Sequence, residues 1–140
     1  MIGKVYRLLV IEDNYRDIQL LKDSLDDLSD LVFEYEQAAS LKETFNLLDQ
    51  LNSHRFDVAI IDLGLLDSHG VDTFVKFHDR FPDLPCIVLT GADEEHIAKE
   101  VMSKGAHNYL VKGFFEIDDL VRSIRSSITK QNVRAKFFAN

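Results

Sequence analysis

A chain of 140 residues, 46% hydrophobic and 29% charged, has the size and make-up of one globular domain able to bury a core. A formal net charge of −8 argues against a nucleic-acid surface, because nothing basic is concentrated enough to neutralise a row of phosphates. No apolar stretch approaches the ~20 residues needed to span a bilayer, so no membrane contact is expected. The single cysteine, Cys86, cannot close an internal disulfide, which points to the reducing cytoplasm. Lying in Cys86-Ile87-Val88-Leu89, it is expected to be a small buried hydrophobe rather than a nucleophile. Met1-Ile2-Gly3-Lys4 leads straight into a strand-like segment without a signal core, and there are no repeats or Pro/Gly-rich linkers.

In chain order, Leu8-Leu9-Val10-Ile11 is an apolar run of the kind buried on both faces of a parallel sheet, and it ends in Glu12-Asp13. Asp13 or Asn14 suits the cap of a helix whose inner face carries Ile18, Leu21, Leu25 and Leu28 at steps of three and four. Strand-forming Val32, Phe33 and Tyr35 predict a strand over Leu31 to Glu36. Ser40-Leu41-Lys42-Glu43 fits a capping box before a helix burying Leu41, Phe45, Leu48 and Leu51. Val58-Ala59-Ile60-Ile61 is the next buried run, ending abruptly in the carboxylate of Asp62. Asp62 also suits a turn, since Asp-x-Gly is common turn chemistry. After the loop from Gly64 to Gly70, a helix carries Val71, Phe74, Phe77 and Phe81 and is closed off by Pro82 and Pro85. Cys86 to Leu89 forms a strand ending in Thr90-Gly91. Asp93 and Glu94 begin a helix burying Ile97, Val101 and Met102, which Gly105 terminates. Asn108 to Val111 is a short strand ending in Lys112, and a last helix starts near Glu116, with Ile117, Val121, Ile124 and Ile128 at helical spacing.

Strand and helix thus alternate five times, the pattern of a doubly wound α/β fold with a five-stranded parallel sheet and helices on both faces. Such sheets place ligands outside the carboxyl ends of their strands. Four of the five predicted strands deliver a polar or charged group there: Glu12 and Asp13, Asp62, Thr90, and Lys112. Residues 131–140 are too few for a further domain and are expected to be a tail or an extension of the last helix beyond a domain at 1–130. The five histidines, His54, His69, His78, His96 and His107, show no paired metal-binding spacing, and each is expected to be solvated or on a helix surface.

Four motifs carry a family likeness. They are Val-Ile-Glu-Asp-Asn at 10–14, Asp-Leu-Gly-Leu-Leu-Asp-Ser-His-Gly at 62–70, Val-Leu-Thr-Gly at 88–91, and Gly-Ala-His-Asn-Tyr-Leu-Val-Lys at 105–112. In this order they resemble a response-regulator receiver domain of two-component signalling, similar to the chemotaxis receiver, over roughly Val5 to Lys130. The resemblance implies the flavodoxin-like strand order 2-1-3-4-5. It implies Asp62 as the acceptor of a phosphoryl group from a histidine kinase or a histidine phosphotransfer protein. Glu12, Asp13 and Asp62 repel one another; two unit charges ~4 Å apart cost about 4 kcal/mol at an effective dielectric of 20. The cation implied is Mg²⁺, held by Asp13, Asp62 and the Gly64 carbonyl, with Glu12 holding one of its waters. Lys112 would add a fixed positive charge and Thr90 a hydroxyl for the phosphoryl oxygens. Tyr109 would respond as a rotameric switch with Thr90, changing the helix 4–strand 5–helix 5 face, through which a homodimer could form.

Two positions depart from the family pattern. Leu66 stands where proline is frequent, which loosens the loop after Asp62. Gly113 follows Lys112 where the family usually has a cis proline; a trans Lys112–Gly113 bond is expected, and the aim of Lys112 is thereby put in question. The main rival reading is a receiver-like interaction module without phosphate chemistry. A second is a phosphatase with an aspartyl nucleophile, but that class wants an aspartate two residues later, where this chain has Gly64.

Overall fold

The computed structural model describes residues 4–138. Five parallel strands, β1 (Val5–Ile11), β2 (Val32–Ala38), β3 (Val58–Asp62), β4 (Cys86–Thr90) and β5 (Asn108–Val111), form one sheet in the order β2-β1-β3-β4-β5. The helices are α1 (Tyr15–Asp26), α2 (Leu41–Gln50), α3 (Val71–Arg80), α4 (Glu95–Ser103) and α5 (Ile117–Phe138). The expected architecture and strand order are both present. The second strand runs two residues further than the hydrophobic pattern suggested, and α5 continues unbroken through residues 131–138. The end of the expected tail, 139–140, lies outside the described residues.

Alternation along the strands divides the core in two. Leu9, Ile11, Ala59, Ile61, Cys86 and Val88 face α2, α3 and α4, where they meet Leu48, Phe74, Phe77 and Val101. Leu8, Val10, Val58, Ile60, Ile87 and Leu89 face α1 and α5, packing on Ile18, Leu25, Leu120 and Ile124. Cys86 is wholly buried, as its apolar neighbours foretold.

Local chemistry holds the loops at the carboxyl edge. The Asn14 side chain accepts from the Asp17 N–H at 3.2 Å and so caps α1. Ser40 caps α2, its Oγ accepting from the Glu43 N–H at 3.0 Å, while Glu43 reaches back to the Ala39 N–H rather than to that of the cap residue. Asp67, in the loop after Asp62, accepts from the Leu41 and Lys42 N–H groups at 2.9 and 3.0 Å. That contact ties the loop to the positive end of α2 and compensates for the missing proline at Leu66.

Candidate functional site

Alternation also explains which side chains converge. Val10, Ile60 and Leu110 pack on the α1/α5 side of the sheet, and two residues beyond each comes Glu12, Asp62 and Lys112. The same face is therefore continued past the strand ends, and the three side chains meet between α1 and α5. Lys112 Nζ donates to Glu12 Oε1 at 2.8 Å, to Asp17 Oδ2 at 3.0 Å, and to Asp62 Oδ2. All three ammonium hydrogens are thus engaged by carboxylates. The other Asp62 oxygen accepts from the Gly64 N–H at 2.8 Å, which fixes the carboxylate against the turn that follows β3.

The charges are strongly perturbed. Burial, then hydrogen bonding to Asp62, pushes the Glu12 carboxyl far above the usual carboxylate range; its side chain is only 2% exposed. Burial also works to raise Asp62, but hydrogen bonding to Glu12 and Lys112 and from the Gly64 N–H outweighs it and holds Asp62 low. Asp17 is lowered by hydrogen bonding to Glu12 and then to Lys112. Lys112 is opposed by its own desolvation, yet its bonds to Asp62, Glu12 and Asp17 raise it, so the ammonium stays charged. Glu12 keeps a proton that its two acidic neighbours have lost.

The remaining expected residues fall around this centre. Asp13 is one residue out of phase with Glu12 and stands exposed on the rim, not in the Lys112 cluster; the acidic trio around the lysine is completed by Asp17 instead. Thr90 is buried, and its Oγ1 has no hydrogen-bond partner among the described residues. Tyr109, 40% exposed, lies two residues before Val111, the register partner of Thr90, so both side chains share the α4 side of the sheet. Tyr109 lines an open cleft of about 640 Å³ together with Ala92, Phe114 and Arg122. The Lys112–Gly113 bond is trans as expected, with Gly113 at φ +78°. Lys112 is nevertheless aimed into the acidic group.

Two features escaped the sequence reading. Asp17 gave a signal only in retrospect: it sits three residues past the α1 cap, on the turn that faces the strand ends. His107 is the clear correction. It was expected at the surface, but it is fully buried at the start of β5, whereas His54, His69 and His96 are exposed as expected and His78 is half-buried, stacked on Phe74.

Residues 8–125 match the response regulator receiver domain family. The chain belongs to that family. This receiver is 34% identical over 108 residues to the transcriptional regulatory protein PhoP of Escherichia coli, and 35% identical over the same length to the virulence transcriptional regulatory protein PhoP of Salmonella typhimurium. Those matches span 77% of the chain but 46% of each relative, so the chain covers about half the length of the curated relatives it matches. The structure superposes on a response regulator receiver domain protein from Clostridium thermocellum with a TM-score of 0.77, at 26% identity, covering 91% of this chain and 98% of that one. The receiver is thus a two-component module, and no described helix is long and apolar enough to cross a membrane.

Receiver domains in general bind Mg²⁺. The donors here suit it: the carboxylates of Glu12, Asp13 and Asp62 are hard oxygen ligands, and the buried Glu12 Oε2 has no partner among the described residues. Among those residues no three His, Cys, Asp or Glu side chains are grouped around one cation position, and Lys112 bonds to Glu12, Asp17 and Asp62.

Proposed function

We propose that Asp62 is the phosphoacceptor of this receiver. The observation that supports the reading is an ionised carboxylate at the end of β3, held by the Gly64 N–H and facing an ammonium, with an unpartnered buried hydroxyl at Thr90 on the end of the adjacent strand β4. An Asp62 oxygen attacks the phosphorus of a phosphohistidine on a kinase or phosphotransfer partner. The new O–P bond forms as the P–N bond breaks, and the departing imidazole keeps the electron pair and takes up a proton. Lys112 offsets charge on the transferred group, and the Thr90 hydroxyl turns to donate to a phosphoryl oxygen. Asp13, Asp62 and the Gly64 carbonyl would hold Mg²⁺, with Glu12 holding one of its waters, and the ion would supply further neutralisation of the phosphoryl oxygens. Water later attacks the acyl phosphate, so the mark is temporary and the receiver is a switch rather than a turnover enzyme.

The readout follows from the shared face of Thr90 and Tyr109. As Thr90 moves toward the phosphoryl group, the Tyr109 ring, which already borders the open cleft beside β5, follows into the vacated space. The α4–β5–α5 face changes shape, and a second copy or an output element senses it. We place the receiver proper at residues 1–130 and its work in the cytoplasm.

Exposed large side chains at the acidic edge, Tyr15 at the start of α1 and Leu66 and Phe114 on loops, offer contact for the phosphoryl donor. A pure interaction module is the second reading, and the observation in its favour is that Lys112 already engages Glu12, Asp17 and Asp62 without a metal. Incubation with acetyl phosphate and Mg²⁺ separates the two. Intact mass should rise by one phosphoryl group in the native chain and not in Asp62→Asn; no adduct on the native chain would leave the interaction module.

A further inference from the structure

Lys112 is held from a direction that the four sequence motifs do not include. The backbone after it gives little restraint. Gly113 is exposed, adopts φ +78°, and nothing lies within 4 Å of where its Cβ would be. The lysine stem has four rotatable carbons and about 2 kcal/mol of rotamer entropy to lose, and the side chain remains 33% exposed. Something other than its own backbone must keep it turned inward. Glu12, just past the end of β1, accepts one Lys112 hydrogen at 2.8 Å. Asp62 accepts another, but it is the group that gives up its carboxylate charge when phosphorylated.

The third partner is Asp17. Its backbone is fixed because its N–H donates to the Asn14 cap at 3.2 Å, and its ionised carboxylate accepts from Lys112 Nζ at 3.0 Å. Resting on the phosphoacceptor reading above, we propose that Asp17 is a positioning residue for phosphotransfer, a tether from the first turn of α1 that keeps the Lys112 ammonium at the reacting carboxylate before and after Asp62 is modified. Asp17 does not touch the phosphoryl group; it acts through the lysine. When the Asp62 charge is lost, one Lys112 hydrogen passes to a phosphoryl oxygen while another stays on Asp17. The ammonium does not have to be recaptured from solvent in each cycle.

Two measurements on the full chain test this. The first is the rate of labelling by acetyl phosphate with Mg²⁺, followed by intact mass. Asp17→Asn should slow it roughly tenfold, well inside the loss that an ångström of misplacement can cause. Asp17→Glu, which restores the charge one methylene further out, should recover part of the rate. In a Lys112→Met background Asp17→Asn should change nothing, an outcome that a general weakening of α1 would not produce. The second measurement needs no phosphate chemistry: reductive methylation of Lys112, mapped by peptide mass, should accelerate several-fold in Asp17→Asn while the other lysines keep their rates. The inference is overturned if Asp17→Asn labels at the native rate, if it slows the Lys112→Met chain equally, or if Lys112 methylation is unaltered. A native chain that takes no phosphoryl group defeats the phosphoacceptor reading and the role in transfer with it, while the methylation result still decides whether Asp17 holds the lysine.

Discussion

Strand β5 has a titratable side chain just beyond each end, Lys112 after Val111 and His107 before Asn108, and their surroundings differ in kind. At the carboxyl end three carboxylates compete for one ammonium, a buried acid oxygen lacks a partner, and so does the Thr90 hydroxyl. At the amino end both nitrogens of the His107 ring have hydrogen-bond partners, and of the neighbouring groups the buried His78 Nδ1 has none among the described residues. His107 Nδ1 accepts from the Cys86 N–H at 3.2 Å while the His107 N–H donates to the Cys86 carbonyl at 2.9 Å. That fixes the neutral tautomer with its proton on Nε2, donated to Gln131 Oε1 at 2.9 Å. Lys130 Nζ donates to the His107 carbonyl at 2.6 Å and Arg134 to the Gly105 carbonyl at 2.9 Å, so the late turns of α5 close over the ring. Matched polar groups make a fixed end; unmatched ones leave an end ready to accept a new ligand or charge.

The contrast is sharpest between two equally buried residues. His107→Ala opens a cavity and strips the Cys86 N–H and Gln131 of their partner, so a loss of about 3–4 kcal/mol is expected in urea unfolding. Glu12→Gln keeps the shape of an acid that already carries its proton. Gln needs no proton taken up on folding, so this chain should be at least as stable as the native one at neutral pH. Similar losses for the two would mean that the carboxyl end is as tightly built as the other.

Acidification distinguishes the ends next. Burial first, with the charges of Arg134 and Lys130 adding to it and the bond to Gln131 working against it, pushes His107 down from 6.5 to about 4. The unfolded chain therefore binds a proton that the folded chain refuses. His107 contributes its full stabilisation above pH 6.5, and that contribution is lost as the pH falls toward 4, by about 2–3 kcal/mol if unfolding is complete. Asp62 and Asp17, held below their ordinary values, lose their contribution only at lower pH. Glu12, raised by its burial, works the other way over this range in both chains, so from pH 7 to 4 the unfolding free energy should drop by about 2–3 kcal/mol more in the native chain than in His107→Leu.

How far the sequence carries depends on whether a residue's surroundings are local. Unbroken apolar runs announce β1, β3 and β4 because a strand buried on both faces leaves no polar position, and Asn14 and Ser40 announce helix starts because a cap acts within three residues. The strand order came with the family likeness rather than with any hydrophobic pattern. Asp13 stands on the rim because neighbouring residues point to opposite sides, while Asp17 reaches the lysine from the first turn of α1, which no strand pattern announces. His107 could not be read as buried from its own neighbours, since the residues that enclose it, Lys130, Gln131 and Arg134, lie more than twenty positions later.

Those late residues yield a third expectation. Arg134→Met removes a charged donor from the Gly105 carbonyl and should cost about 2 kcal/mol. Amide exchange should speed up at Gly105 to Asn108 and stay unaltered at Asp62 and Gly64. Faster exchange at the acidic edge instead would show that the two ends of β5 open together.

The smallest effect is expected at Gly113, and it separates backbone from side-chain control of the lysine. At φ +78° an L residue is strained, but nothing lies within 4 Å of an added Cβ, so Gly113→Ala should cost only the conformational strain, about 1 kcal/mol. If the path of the chain aimed Lys112, shifting that path would slow labelling by acetyl phosphate as much as removing Asp17 does. Three acidic side chains holding the ammonium predict otherwise: Gly113→Ala should melt slightly earlier yet label within about twofold of the native rate, a change of less than 0.5 kcal/mol in the barrier. A glycine in place of the family's proline is then tolerated because the lysine is held at its tip, from α1, and no longer at its base.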